Sequence, residues 1–212
     1  MKRSFLFALA LVGLVGCQSA YYGAMEKVGI HKRDILVDRV EETRDAQNEA
    51  QQQFNSALEE LSTLINFDGG ELETTYNNLN DQYQSSTEAK ALVSKRIDSV
   101  ESVAQALFDE WEDEIDQYTN ATFKRNSTKQ LNDTKRLYAR MLRSMHQSEK
   151  KMDPVLAALN DNVLYLKHNL NANAVNAIEV EFKQLKQEIA VLIKEVNQSI
   201  TESNKFIETL SK

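Results

Sequence analysis

Residues 138–166 read YARMLRSMHQSEKKMDPVLAALNDNVLYL, and this stretch decides between the two folds open to the chain. Residues suited to a helix interface recur in it at alternating spacings of four and three, as in the heptads of a coiled coil. The series is Tyr138, Leu142, Met145, Glu149, Met152, Leu156, Leu159, Val163 and Leu166, and Leu170 continues it. The single proline of the chain, Pro154, falls inside the series without changing its phase. A new helix after a loop would keep that phase only by coincidence, so we predict one helix kinked at Pro154.

The alternative is a hairpin at this proline. Asp153-Pro154 is a good helix start, because the N–H that proline lacks would have no partner at that position. An unbroken helix from 71 to 153 would then be joined to a long returning helix, and the chain would form a three-helix rod. Pro154 is therefore the residue at which the two predicted folds part.

Three more stripes of the same kind flank this one. The first contains Leu36, Val40, Thr43, Gln47, Ala50, Phe54, Ala57, Leu61 and Leu64; the second runs from Leu72 to Tyr118; the last runs from Ile178 to Leu210. Gly69-Gly70 predicts a turn, Thr119–Asn126 predicts a break followed by a capping box at Ser127–Gln130, and Asn171–Asn173 predicts the last break. The resulting segments are 34–66, 71–118, 127–170 and 174–211, each about 50–70 Å long at 1.5 Å per residue. We predict an all-α fold, an elongated antiparallel four-helix bundle.

Composition excludes most other classes. The 212 residues include one Pro, six Gly and one Cys. A sandwich or barrel needs a turn signal every 8–12 residues, and nucleotide-binding folds need glycines at fixed offsets. Neither can be built from this composition.

The N-terminus predicts the compartment. Basic Lys2 and Arg3 precede an apolar run, 5–15, which is too short to span a bilayer and suits a signal peptide. The run ends in Leu14-Val15-Gly16-Cys17, which resembles a bacterial lipobox. That resemblance implies acylation of Cys17, with residues 1–16 removed, 17–33 acting as a lipidated tether and 34–212 forming the bundle domain. Gln18, in place of the Asp of an inner-membrane retention signal, favours the periplasmic face of the outer membrane.

The tether, residues 17–33, has a composition that suits either of two environments, the lipid interface or solvent. Tyr21 and Tyr22 could rest at the bilayer interface while nearby basic residues meet anionic headgroups. A solvated linker is an equal alternative.

Charge separates two regions of the chain. Loss of Lys2 and Arg3 would leave 23 basic and 32 acidic residues, a net charge of −9, which argues against nucleic acid as a partner. The stretch 124–151 is the exception, with nine basic residues against two acidic ones. Its candidate binding residues for a polyanion or an acidic partner are Lys135, Arg136, Arg140 and Arg143. The alternative, favoured two to one, is charge complementarity with the acidic second helix beside it.

Patterns that would indicate chemistry are lacking in the sequence. The acidic run 109–116 places Asp109, Glu112, Asp113 and Asp116 on one helical face, which favours a solvated surface over a cation site. No histidine follows a glutamate by three residues, as a di-iron bundle requires. His146 and Glu149 are expected to form a surface pair. We therefore expect no enzymatic activity, no metal and no cofactor.

Residues 20–40, AYYGAMEKVGIHKRDILVDRV, directly after the lipobox, resemble a family of Gram-negative lipoproteins known only as a domain of unknown function. The resemblance covers the whole mature chain and implies location and fold, with no activity or site. We predict a non-enzymatic, lipid-anchored envelope protein that binds or spaces envelope components, with another envelope protein or a second copy as partner. The alternative is an accessory factor or an enzyme that acts on peptidoglycan or lipid.

Overall fold

The chain folds into four long helices. The computed structural model describes residues 22, 25, 29–65, 72–169 and 172–210. The helices are α1 (Lys32–Ile65), α2 (Leu72–Gln117), α3 (Ala121–His168) and α4 (Ala172–Leu210), and no strand occurs in the described ranges. The predicted all-α class is confirmed. The signal peptide, Cys17 and the Gly69-Gly70 turn lie outside the described residues.

Each helix packs against the next one, and α4 returns to pack against α1. The relative direction of α1 and α2 follows from two ion pairs between them. Lys32 at the start of α1 pairs with Glu110 near the end of α2, with 2.7 Å between Nζ and Oε1. Farther along α1, Glu42 pairs with Arg96 at 2.6 Å, so the two helices are antiparallel. Between α2 and α3, Lys90 pairs with Asp153 and Glu112 with Lys135, so these helices are antiparallel as well. Between α1 and α4, Arg44 bonds to Asn204 and Gln47 to Ser199, which gives the same direction. The predicted four-helix bundle is confirmed, and the three-helix rod is wrong.

Pro154 lies inside α3, which is a single helix of 48 residues. Its side chain is exposed on the outer face, where the backbone group that proline leaves without a partner can be hydrated. The prediction of one helix through this residue is confirmed. The in-phase stripe on both sides of the proline explains why the helix continues, since a break would remove one half of it from the core.

The predicted start of α3 at Ser127 is wrong. The helix begins at Ala121, and Asn120 is its N-cap: the Asn120 side chain accepts hydrogen bonds from the backbone N–H groups of Thr122 and Phe123 at 2.9 and 3.2 Å. The Ser127 hydroxyl instead accepts a hydrogen bond from Trp111 Nε1 at 2.8 Å. A serine can cap a helix or bond to a neighbouring helix, and the sequence alone does not show which of these roles Ser127 has.

The four stripes form the core. Every member of the first stripe is buried, from Leu36 to Leu64. In the other helices the largest fully buried side chains are Leu79, Ile97, Met141, Met145, Met152, Leu159, Leu166 and Phe206. Tyr138 packs between Phe108 and Phe206, with ring centroids 5.3 and 6.0 Å away, and so joins α2, α3 and α4.

A layer of small polar side chains crosses the middle of the core. Gln47 of α1 donates from Nε2 to the Ser148 hydroxyl of α3 at 2.7 Å, and it accepts from the Ser199 hydroxyl of α4 at 3.1 Å. Thr43 and Ser203 are also buried at this level and bond to carbonyl groups of their own helices. All buried polar residues among those described are uncharged.

Tyr22, ten residues before the start of α1, packs against the bundle. Tyr22 is only 5% exposed, and its hydroxyl lies 3.5 Å from Ser102 Oγ on α2. Gly29 has φ +84°, and the Ile30 N–H reaches back to the Met25 carbonyl at 3.0 Å, which is the long hydrogen bond of a Schellman ending. For Tyr22 both expectations, the lipid interface and a solvated linker, are wrong, because its ring is covered by protein.

The Gln47 layer gives a test of how the core is specified. We expect Gln47→Leu to lower the free energy of unfolding by about 1–3 kcal/mol, because it leaves the buried hydroxyls of Ser148 and Ser199 without their side-chain partner. Adding Ser148→Ala and Ser199→Ala should recover much of this loss, measured by urea unfolding. A single variant as stable as the parent would show that the layer does not contribute.

Candidate functional site

The basic cluster of residues 124–151 divides between two faces of α3. Lys124 pairs with Asp116 at 3.1 Å and Lys135 pairs with Glu112 at 2.5 Å, so both face the acidic end of α2. Lys135 also lies over the ring of Phe108, with 5.4 Å between Nζ and the centroid. For these two lysines the structure has the complementarity with the second helix that the sequence favoured.

Of the seven remaining basic residues, all but Lys151 form a second face. They follow one another at spacings of four, seven, four, three and seven residues, which keeps them on one side of a helix. We call them the basic stripe: Arg125, Lys129, Arg136, Arg140, Arg143 and Lys150, all exposed. The stripe extends over about 37 Å of α3. Three of the four predicted binding residues belong to it, whereas Lys135 lies on the face toward α2.

The stripe is poorly neutralised. Arg136 pairs with Asp133 one turn earlier, and Arg125 bonds only to the Thr122 hydroxyl, at 3.3 Å. Lys129, Arg140 and Arg143 make no ion pair with any described residue. Like charges four residues apart on a helix destabilise it by about 0.2–0.5 kcal/mol per pair. The fold therefore derives no stability from this arrangement.

A groove between α3 and α4 borders the stripe. Its volume is about 290 Å³, and its lining includes Arg140 and Arg143 on one side and Glu202 and Lys205 on the other. Glu202 is engaged by Lys205 at 2.7 Å, so it does not neutralise the arginines. Ser144, at the side of the groove, has a buried hydroxyl without a hydrogen-bond partner. The groove thus combines two unpaired guanidinium groups with an unused hydroxyl.

A polar cluster joins α2 and α3. It lies on the other side of the basic stripe from the groove. His146 bonds through Nε2 to Glu101 at 2.8 Å and through Nδ1 to Glu149 at 3.2 Å. Burial alone lowers the pKa of His146, but the hydrogen bonds and charges of the two glutamates outweigh it, and the net pKa is raised. The predicted pairing of His146 with Glu149 is confirmed. Glu101 was missed, because no local pattern connects residues 45 positions apart on two helices.

This cluster lacks the geometry of nucleophilic catalysis. Ser94 donates to Glu149, and both imidazole nitrogens are already bonded to carboxylates. A catalytic serine needs the imidazole as its own proton acceptor. The cluster is therefore arranged as an ion-pair network between two helices.

The acidic run of α2 is dispersed among partners. Glu112 and Asp116 pair with lysines of α3, and Asp109 accepts a hydrogen bond from Gln105 at 2.6 Å. Within the described part of the chain, no group of three or more His, Cys, Asp or Glu side chains is arranged to hold a metal ion. None of the described helices combines the length and the hydropathy needed to cross a bilayer.

The family model that matches this chain covers residues 21–210 and is described as a protein of unknown function, DUF2959. The chain belongs to the DUF2959 family. The match includes all four helices, Tyr22 and the whole basic stripe. Comparison with curated proteins gives no match.

His146 makes stability depend on pH. Because its folded-state pKa is raised above 6.5, its contribution is present below that pH and is lost as the pH rises through the folded-state pKa. We expect His146→Gln to destabilise the protein more at about pH 6 than at about pH 8, by less than about 1 kcal/mol since the ring is half exposed. Urea midpoints at both pH values measure this.

His168→Gln is the matched control, since His168 is exposed near the end of α3 and makes no hydrogen bond with a described residue. Equal effects of His146→Gln at both pH values would contradict the assignment.

Proposed function

We propose that this protein is a non-enzymatic, lipid-anchored protein of the cell envelope that holds an acidic envelope component against the basic stripe of α3. The bundle acts as a rigid spacer between the anchor and that component. The proposal has three parts, which are the anchor, the absence of catalysis and the binding surface.

The anchor is supported by the sequence. Leu14-Val15-Gly16-Cys17 follows an apolar run of signal-peptide length, and Cys17 is the only cysteine of the chain. Acylation of this thiol would attach the protein firmly, because each buried methylene contributes about 0.8 kcal/mol to membrane binding. Gln18 supports the outer membrane as the location.

A role without catalysis is supported by the interior. Buried polar side chains among the described residues are Thr, Gln, Ser and Asn, with no buried charged group. Active sites depend on titratable groups whose pKa values are shifted by burial or by a charged neighbour. The pKa values of His146 and Tyr138 are raised, and both side chains make contacts between helices rather than lining an active-site cleft. Burial raises the pKa of Tyr138 to about 12, so its phenol stays protonated.

The observation that carries the binding role is the poor neutralisation of the basic stripe. An acidic protein, with a net charge of −7 over the full chain, concentrates its free arginines on one face of one helix. Carboxylates of α2 neutralise Lys124 and Lys135, whereas Arg140 and Arg143 make no ion pair with any residue that the structure describes. Guanidinium groups in a row suit a partner that presents several carboxylates or phosphates.

Cys17→Ser tests the anchor. We expect the parent protein to fractionate with the outer membrane and to carry the added mass of acyl chains. The variant should lose that mass and appear in the soluble fraction, because no lipid then holds it. A variant that stays in the membrane fraction with an unchanged mass would refute the anchor.

A photo-crosslinking residue at Gln147, which lines the groove beside the stripe, tests the binding surface in living cells. We expect an adduct that disappears when Arg136, Arg140 and Arg143 are changed to Glu. The control, Lys183, Lys186 and Lys194 to Glu on the exposed face of α4, has the same change in charge and should keep the adduct.

An adduct that survives reversal of the stripe would contradict the proposal. A crosslinker at exposed Gln187 of α4 gives the background level. An adduct of twice the chain mass would identify a second copy as the partner.

A further inference from the structure

The two middle helices are longer than their neighbours. Helices α2 and α3 have 46 and 48 residues, and α1 and α4 have 34 and 39. Lys32, the first residue of α1, is level with Glu110, so α2 continues for another seven residues to Gln117. Phe206 of α4 packs against Tyr138 of α3, so Leu210, the last residue of α4, ends about one turn further, near the level of Thr134. The end of the α2–α3 hairpin, residues 111–127, therefore projects beyond the described ends of α1 and α4. We call it the tip.

The tip exposes aromatic side chains. Tyr118 is 44% exposed and Phe123 is 60% exposed. Phe123 belongs to the inward series of α3, which continues through Ser127 to buried Leu131 and Thr134. It is exposed because α1 and α4 end before its level. A longer bundle would bury this ring. In this bundle the ring is accessible to any surface that the tip contacts.

Tyr22, the described residue nearest to Cys17 in the sequence, lies toward the same end. The Tyr22 ring is in contact with Ser102 and lies 5.9 Å from the Lys32 ammonium, which is level with Glu110. Its distance from the end of α2 is therefore at most the fifteen residues from Ser102 to Gln117, or about 22 Å. Cys17 precedes Tyr22 by five residues, which span at most about 18 Å when fully extended.

These lengths limit how the molecule can stand on a bilayer. The far end of α2, at Leu72, is about 45 Å from Ser102, which is beyond the reach of the anchor. The lipid anchor can bring the tip to the bilayer when the long axis of the bundle tilts, or when the tip itself enters the interfacial region of the bilayer. The remaining choice is between the tip and the flank at Tyr22. The outer face of α2 at that flank carries Lys95, Asp98 and Asp109, and none of the exposed aromatic side chains among the described residues lies on it, whereas the tip has two.

We propose that the tip is a membrane-contact surface, with Tyr118 and Phe123 seated in the interfacial region of the bilayer that holds the Cys17 lipid. This rests on the lipid anchor of the proposed function. Tyr and Phe rings suit that region, since their apolar surface leaves water while polar groups beside them stay hydrated. The tip has four acidic and two basic residues, so its contact depends on the aromatic rings and is not weakened by salt, which screens repulsion from anionic headgroups.

Tryptophan fluorescence on acylated protein tests the proposal. The protein is purified from membranes, its acyl mass is verified, and it is reconstituted into vesicles of phosphatidylethanolamine and phosphatidylglycerol with brominated acyl chains, which quench indoles. With Trp111→Phe as background, single tryptophans replace Phe123 at the tip, Gln105 on the flank and Leu164 toward the far end. All three positions are exposed.

The expected result is several-fold stronger quenching at position 123 than at 105 or 164, and high salt should not weaken it. Strongest quenching at position 105 would place the flank on the bilayer and overturn the proposal. Equal, weak quenching at all three would show a bundle held away from the membrane, or a tip covered by a second copy, and would overturn it as well. A preparation without acyl mass would instead refute the anchor, so the two failures are distinguishable.

The native Trp111 gives a second measurement without added probes. It lies at the base of the tip and is partly exposed. Tyr118→Ser with Phe123→Ser should reduce its quenching several-fold. The matched pair Leu164→Ser with Tyr165→Ser, with 51% and 44% exposed side chains toward the other end of α3, should leave it unchanged. Equal quenching in both double variants would contradict the role of the aromatic rings.

Discussion

Burial of one heptad stripe on each helix is the constraint on which the rest of the structure depends. No helix of this chain can hide its apolar positions alone, and the four stripes cover one another only when consecutive helices run antiparallel and α4 closes against α1. The same requirement keeps α3 continuous through Pro154, because a break there would take half of its stripe out of the core. It also places all charge outside, so that α3 carries its basic residues on two outer faces.

The two basic faces of α3 have different physical roles. Lys124 and Lys135 bind carboxylates of α2 and help to hold the hairpin together, although exposed pairs of this kind contribute little individually. Among the described residues, the basic stripe pairs with only one carboxylate, that of Asp133, and it weakens the isolated helix through like-charge repulsion. A feature that does not stabilise the fold and is still exposed along about 37 Å of one helix is better suited to an external anion than to the bundle itself.

Sequence periodicity predicted most of this fold. The first stripe is buried at every predicted position, and the antiparallel four-helix arrangement follows from helix lengths and phases. The start of α3 was missed because Asn120 and Ser127 are both suitable caps, and only the indole of Trp111 shows which role Ser127 has. Three of the four basic residues share the exposed face, while Lys135 does not, since a charge run gives no information about which neighbour lies opposite. Tyr22 and Glu101 depend on contacts across 80 and 45 residues, which no local pattern encodes.

The contact between α1 and α4 has a consequence for how the chain folds. The neighbouring pairs join consecutive helices, so each can form as a hairpin soon after its two helices exist, with a modest entropic cost of loop closure. The pairing of Gln47 with Ser199 spans 152 residues and forms only when the last helix has arrived. Before that step, the apolar surface that α4 covers in the finished bundle is still exposed on the other helices. Such an intermediate exposes hydrophobic surface and is prone to aggregate. Packing of the C-terminal helix is therefore the step that ends this exposure.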